Sequence, residues 1–239
     1  MLMSLMVISS CNHSNKGNVI LSGRITDARG KKLLLQDLDM QYSKTVDSVT
    51  LDPESNYSFN IRLKEPGLYL LSLPRLLPLV LELKPGDSIG ISSVSTSFPS
   101  GVRLTGSANS QDLLEFFKTT NSNRKIYDSL ENVLLVHQDE PAFAILTNKL
   151  DESLKPLWKK QRELEINYIE RHLNSLTSLL ILNQGLGVSP VLTFKNDSVY
   201  FLKLDSSLNK AFPGNKHAVF HCKRIIQERE VETMKQRSK

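Results

Sequence analysis

The strongest constraint on the fold is a change of hydrophobic period near Gly106. Before it, in Tyr57-Ser58-Phe59-Asn60-Ile61-Arg62-Leu63, every odd residue is apolar and every even one polar, so an extended chain buries one face and wets the other. Similar short runs occupy 19–25, 32–38, 45–51, 68–73, 79–83 and 88–92. Turn signals separate them at intervals of roughly ten residues, the spacing of an antiparallel sandwich. Lys84-Pro85-Gly86-Asp87 predicts a type II turn, because Pro85 presets its φ and Gly86 supplies the positive φ at the third position.

Beyond Gly106 the period becomes helical. Asn109 is placed to cap a helix with Asp112 near its positive end, and Leu113, Phe116, Phe117, Ile126, Leu130, Val133 and Leu134 follow at helical spacing. After Pro141, the residues Phe143, Leu146, Leu150, Leu154 and Leu157 step by three or four along a second long helix. Pro156 is expected to kink or divide it, since proline removes a backbone donor and crowds the preceding turn. Shorter helices are predicted over 176–184, 198–208 and 217–235, broken by Gly185, Gly187 and Pro190 and by Pro213 and Gly214. The fold class is therefore α+β: an antiparallel, β-sandwich-like domain over 19–106, then a helical region over 107–239.

The N-terminus points to a compartment. Met1–Ser10 is uncharged and mostly apolar, too short to span a bilayer but suited to a signal peptide over 1–10. Ile8-Ser9-Ser10-Cys11 resembles the lipobox of bacterial lipoproteins, which implies cleavage before Cys11, acylation of its thiol, and a polar tether over 11–18. At about 0.8 kcal/mol per buried methylene, several acyl chains make such an anchor effectively permanent. The usual basic residues ahead of the apolar run are missing, and they are expected upstream of Met1. The other reading of Cys11 is a plain thiol in a frayed terminus.

Composition excludes several classes. At 239 residues, 40% hydrophobic and 23% charged, the chain has the balance of a globular protein with an ordinary core. Its net charge of +5 is spread evenly: 11 basic minus 9 acidic residues up to Gly106, and 19 minus 16 after it. With no Lys/Arg stripe interleaved with aromatics, nucleic acid is not an expected partner.

Candidate chemistry is sparse. His217-x-x-x-His221-Cys222 would put two imidazoles one turn apart on a helix, as zinc helices do, but Cys222 would point about 100° away from His221. No third ligand is evident, so partly exposed histidines beside a core cysteine are expected, and no metal or other cofactor. A Cys11–Cys222 disulfide is permitted in an exported protein, whereas lipidation would consume Cys11 and leave Cys222 an apolar-like thiol. Gly185-Leu186-Gly187 reads as a helix stop followed by a turn. Asp47, Glu82 and Asp87 lie on expected strands or turns and read as surface carboxylates, so no catalytic residue is assigned.

In their order, Gly23, Asp47-Ser48, Tyr57-Ser58-Phe59, Pro66-Gly67-Leu68-Tyr69, Lys84-Pro85-Gly86-Asp87-Ser88 and Gly106-Ser107-Ala108-Asn109 resemble a family of Bacteroidota lipoproteins. In that family a domain of unknown function precedes a thioredoxin-like domain with a Cys-x-x-Cys pair. The resemblance runs from Val19 to the C-terminus and is densest up to Phe117. This chain has only Cys11 and Cys222, so the relatives' redox chemistry does not carry over. The expectation is a non-catalytic lipoprotein of the cell envelope, anchored to the outer membrane, facing the periplasm, and serving recognition or scaffolding. Its partners would be the membrane, through the lipid, and a thioredoxin-like or other envelope protein. The alternative is the accessory half of a thiol-disulfide oxidoreductase whose thioredoxin-like domain is truncated or encoded separately. A third reading is a ligand- or metal-binding protein.

Overall fold

A computed structural model describes residues 17–39, 42–137, 139–141 and 143–237. The expected signal peptide over 1–10 and the lipidation candidate Cys11 lie outside them. The fold is α+β, strands first and helices after.

Two four-stranded sheets form the N-terminal body. The first has the order β4 (Asn56–Arg62), β1 (Asn18–Thr26), β7 (Ser88–Val94), β8 (Arg103–Thr105). The second has the order β3 (Ser43–Thr50), β2 (Lys32–Leu38), β5 (Gly67–Ser72), β6 (Leu79–Leu83). Alternation sets the faces as expected: along β4, Tyr57, Phe59 and Ile61 are buried while Ser58, Asn60 and Arg62 are exposed. Between the sheets Leu21, Ile25, Leu33, Leu35, Phe59, Leu71, Leu81, Ile89 and Ile91 form one cluster. Burial of each is worth about 1.5–3 kcal/mol.

One pair departs from the antiparallel expectation: β1 and β7 run parallel, Ile20 opposite Ser88 and Thr26 opposite Val94. Alternation specifies which face a strand buries, not the direction of its neighbour. Here the chain leaves the first sheet after β1, builds β2 and β3, returns for β4, and comes back for β7 only after β5 and β6. Gly23 makes the pair possible, because a Cβ there would meet the Ile91 carbonyl oxygen at 1.8 Å. The turn at 84–87 is as predicted, with Gly86 at φ 96° and the Asp87 N–H donating to the Lys84 carbonyl at 3.0 Å.

Helices α1 (Ala108–Val136) and α2 (Phe143–Arg171) form a long antiparallel hairpin. A short helix α3 (Thr177–Leu182), a two-stranded hairpin of β9 (Gly185–Leu186) and β10 (Ser189–Pro190), and helices α4 (Phe194–Ala211) and α5 (Lys216–Arg237) complete the region. Gly185-Leu186-Gly187 is thus a strand-and-turn unit whose Leu186 is buried with Tyr127 and Leu157. Pro156 does not divide α2, which runs through it. The cap of α1 is Ser107, not Asn109: the Ser107 hydroxyl accepts the Ser110 N–H at 3.3 Å.

The helices cover the outer face of the second sheet. Leu68 from β5 shares a second core with Leu113, Phe116, Tyr168, Ile169 and Leu204. The molecule is therefore three layers deep: sheet, sheet, helices.

Candidate functional site

A cleft of about 700 Å³ opens where α1 passes the far end of the sandwich. That volume lies within the about 300–1,000 Å³ of small-molecule sites. Three chain segments build it: the β5–β6 loop with the start of β6, the stretch after β7 around Phe98, and one face of α1. Leu114, Phe117 and Lys118, Asn121, Arg124 and Lys125, then Asp128 recur at helical spacing, so a single stripe of α1 forms the wall. Its polarity changes along its length. Leu114 and Phe117 face Leu79, Val80 and Phe98 at the apolar end; Arg124 and Lys125 mark the other end.

On the opposite wall, Arg75 sits between Pro74 and Leu76 with φ 65°, a left-handed conformation that costs a branched-chain-free L residue about 1 kcal/mol or more. The loop brings Arg75 to the cleft and leaves Leu77 74% exposed. Lys118 is paired with Glu115 at 2.7 Å, and Arg124 donates to the Gly185 carbonyl at 3.4 Å. The side chains of Arg75 and Lys125 make no hydrogen bond or ion pair among the described residues. Asp128 is the one carboxylate of the lining.

The titratable groups that stand out chemically lie inside the protein instead. Glu82, read from sequence as a surface carboxylate, is fully buried. Strand alternation turns it away from the inter-sheet core, and the helices cover that face. Its Oε2 accepts from Asn109 Nδ2 at 2.8 Å and Ser175 Oγ at 2.5 Å, and its Oε1 from the Leu176 N–H at 3.4 Å. Ser110 Oγ accepts the Glu82 N–H and donates to the Glu82 carbonyl. This knot fastens the start of α1 and the α2–α3 turn to β6. Ser175 donates its proton to a carboxylate and is itself buried, which is the geometry of a clamp and not of an activated nucleophile. Asp47 is exposed and accepts the adjacent Ser48 N–H, and Asp87 Oδ2 accepts the Lys84 N–H at 2.7 Å within its turn.

A second polar layer lies between α1 and α2. Gln161 accepts from Asn123 at 2.8 Å and donates to Thr120 at 3.2 Å and to Glu165 at 3.0 Å. Burial pushes the Glu165 carboxyl up to about 8, so it is protonated at neutral pH.

His217 and His221 are buried, not partly exposed, and Cys222 is the more accessible of the three. One face of α5 carries His217, Ala218, His221 and Ile225 inward. His221 Nε2 lies 3.2 Å from the Phe201 carbonyl of α4. His217 sits where α5 docks on the β body, beside the Lys216–Asp37 ion pair of 2.5 Å and the Asn215 side chain, which donates to the Pro66 carbonyl at 2.8 Å. Burial drives the His217 imidazole down to about 4 and lowers that of His221. The two therefore serve different neighbours, and among the described residues no group of three His, Cys, Asp or Glu is arranged to hold a metal ion. No described helix is long and apolar enough to cross a membrane.

The cleft was not legible in the sequence, because its residues come from three separated segments. The buried Glu82 had a signal: Leu68-Tyr69-Leu70-Leu71 and Leu79-Val80-Leu81 are continuous apolar runs, which mark strands covered on both faces.

The chain matches no protein-family model and no curated protein. Among solved structures it is similar to the crystal structure of a 9R-lipoxygenase from Cyanothece PCC8801, at 7% identity and a TM-score of 0.24. The match covers 59% of this chain and 30% of that one, and at that score it carries no argument about fold or activity.

Proposed function

We propose that this protein is a non-catalytic recognition module of the cell envelope, held by an acylated Cys11 to the outer membrane with its body in the periplasm, and that the cleft is its recognition surface. The observation that carries the reading is the contrast between the cleft and the interior. The cleft offers apolar walls and two cations with no partner among the described residues, which suits binding. The carboxylate and imidazoles with displaced proton affinities are enclosed and tied to structural neighbours, which suits docking of the helices. The lipobox-like Ile8-Ser9-Ser10-Cys11 and the order of turn motifs shared with the Bacteroidota lipoproteins supply the anchoring half of the proposal.

The test is metabolic labelling with an alkyne analogue of palmitate in a Gram-negative host that expresses the gene with its native upstream region. Label on the protein, membrane fractionation, and loss of both in Cys11→Ala are expected. A protein that stays unlabelled and soluble overturns the anchoring.

A further inference from the structure

We propose that the cleft binds a free, single-tailed anionic amphiphile, such as a long-chain carboxylate, with its tail against Leu114, Phe117, Leu79 and Phe98 and its headgroup between Arg75 and Lys125. The inference rests on the reading of the cleft as the recognition surface and adds the chemistry of what is recognised. Three observations converge on it. The first is the composition of the wall: along α1 the lining passes from Leu114 and Phe117, with the Glu115-paired Lys118 beside them, to Arg124, Lys125 and Asp128, and from Leu114 to Lys125 it spans eleven residues, about 16 Å of helix. That is the length and polarity of an extended acyl chain with a charged head.

The second is charge. Arg75, Lys118, Arg124 and Lys125 face a single carboxylate, Asp128, and Arg75 and Lys125 are not neutralised by any described residue. An anion held between them gains two charge-assisted contacts beside a low-dielectric wall, where such contacts strengthen. The third is the backbone. A bound peptide gains affinity by pairing with a free strand edge. Here β6 is the edge strand of its sheet, and Ser110 of α1 already takes the N–H and carbonyl of Glu82, which leaves the start of this five-residue strand, at Leu79 and Val80, as the edge beside the cleft. An edge that short offers a polypeptide little ladder to extend, whereas the apolar lining suits a hydrocarbon tail, and competition with an acidic peptide decides between the two.

The experiment uses the full chain carrying Cys11→Ser, so that binding is read independently of acylation: a failure of labelling leaves it untouched, and a failure of binding leaves the labelling result intact. The fluorescent fatty acid cis-parinarate is titrated in and then displaced with palmitate or with uncharged hexadecanol. Saturable one-site binding is expected, with palmitate displacing at least tenfold better than the alcohol. Lys125→Glu, on an exposed side chain, weakens palmitate about tenfold or more. Asn121→Trp, which fills the cleft from an exposed position, abolishes binding while the circular dichroism and melting temperature stay those of the parent. The proposal is overturned by absent binding, by equal displacement by the alcohol, by an acidic peptide displacing the probe where palmitate does not, or by unchanged binding in a folded Asn121→Trp chain.

Discussion

The β body and the helical region are both well packed, but they are held together by different chemistry. Between the sheets the side chains are dominantly apolar, from Leu21 and Phe59 to Leu71 and Ile91, with the Tyr57 hydroxyl donating to the Ile91 carbonyl at 3.2 Å among them. Where the helices meet the sheet and one another, buried polar groups sit among the apolar ones: Glu82 with Ser175 and Asn109, Gln161 with Glu165, and His217 beside Asp37 and Lys216. An apolar core tolerates small shifts at modest cost. A buried polar knot holds only in one register, because a misaligned donor or acceptor loses its bond with no water to replace it. The sandwich thus provides bulk stability, and the polar layers fix where α1 lies, which in turn shapes the cleft.

That contrast can be broken or sharpened by substitution. Phe59→Ala removes a large side chain from the inter-sheet core and should lower stability by about 3–5 kcal/mol, read from urea unfolding. Glu82→Ala leaves several buried donors without an acceptor and should cost about 3 kcal/mol. Its signature is regional: amide exchange should accelerate in α1 and α3 before the β1–β4 ladder, and uniform acceleration would show that the two regions unfold as one.

Acid should act through His217, which faces Lys216, Asp37 and Asp39. Its affinity for a proton is lower folded, about 4, than in the unfolded chain, about 6.5, so the unfolded state takes up the proton first. The stability present above pH 6.5 is lost as the pH falls toward 4, each tenfold difference in proton affinity being worth about 1.4 kcal/mol. His217→Leu should make that limb shallower in denaturation curves taken across the window, part of it remaining with His221, whose proton affinity burial also lowers. Glu165 has the opposite sign. Its carboxyl is raised from 4.5 to about 8, so the folded state keeps the proton and stability falls as the pH rises through that interval. Glu165→Gln should remove this alkaline loss and leave the acid limb in place. The smallest effect is expected at the cap of α1, where Ser107→Ala should cost about 1 kcal/mol.

The same division explains what was legible in the sequence. Tyr57–Leu63 announces its strand, and Lys84–Asp87 its turn, because alternation and φ preferences are local. The start of α5 falls one residue from the expected His217, at Lys216, for the same reason. The parallel partnership of β1 with β7 depends on a crossover between sheets that no local pattern encodes. Asn109 has the composition of a cap, yet its side chain is committed to Glu82, and Ser107 takes the role. His217 and His221 looked like surface residues on a polar helix because the stripe they share with Ala218 and Ile225 is short and interrupted. The misreadings of Asn109, His217 and His221 fall where a polar side chain turns inward, and inward polarity has no periodic signature.

Strand registers also orient the molecule. The chain joins the sandwich at Asn18, whose carbonyl accepts the Gly86 N–H, whereas Thr26 at the other end of β1 lies opposite Val94, next to the segment that leads to Phe98. Roughly 26 Å of strand therefore separates the leash point from the cleft. A body moored at Cys11 would stand on the Asn18 end and hold its berth open away from its own bilayer, ready to take cargo arriving from across the compartment.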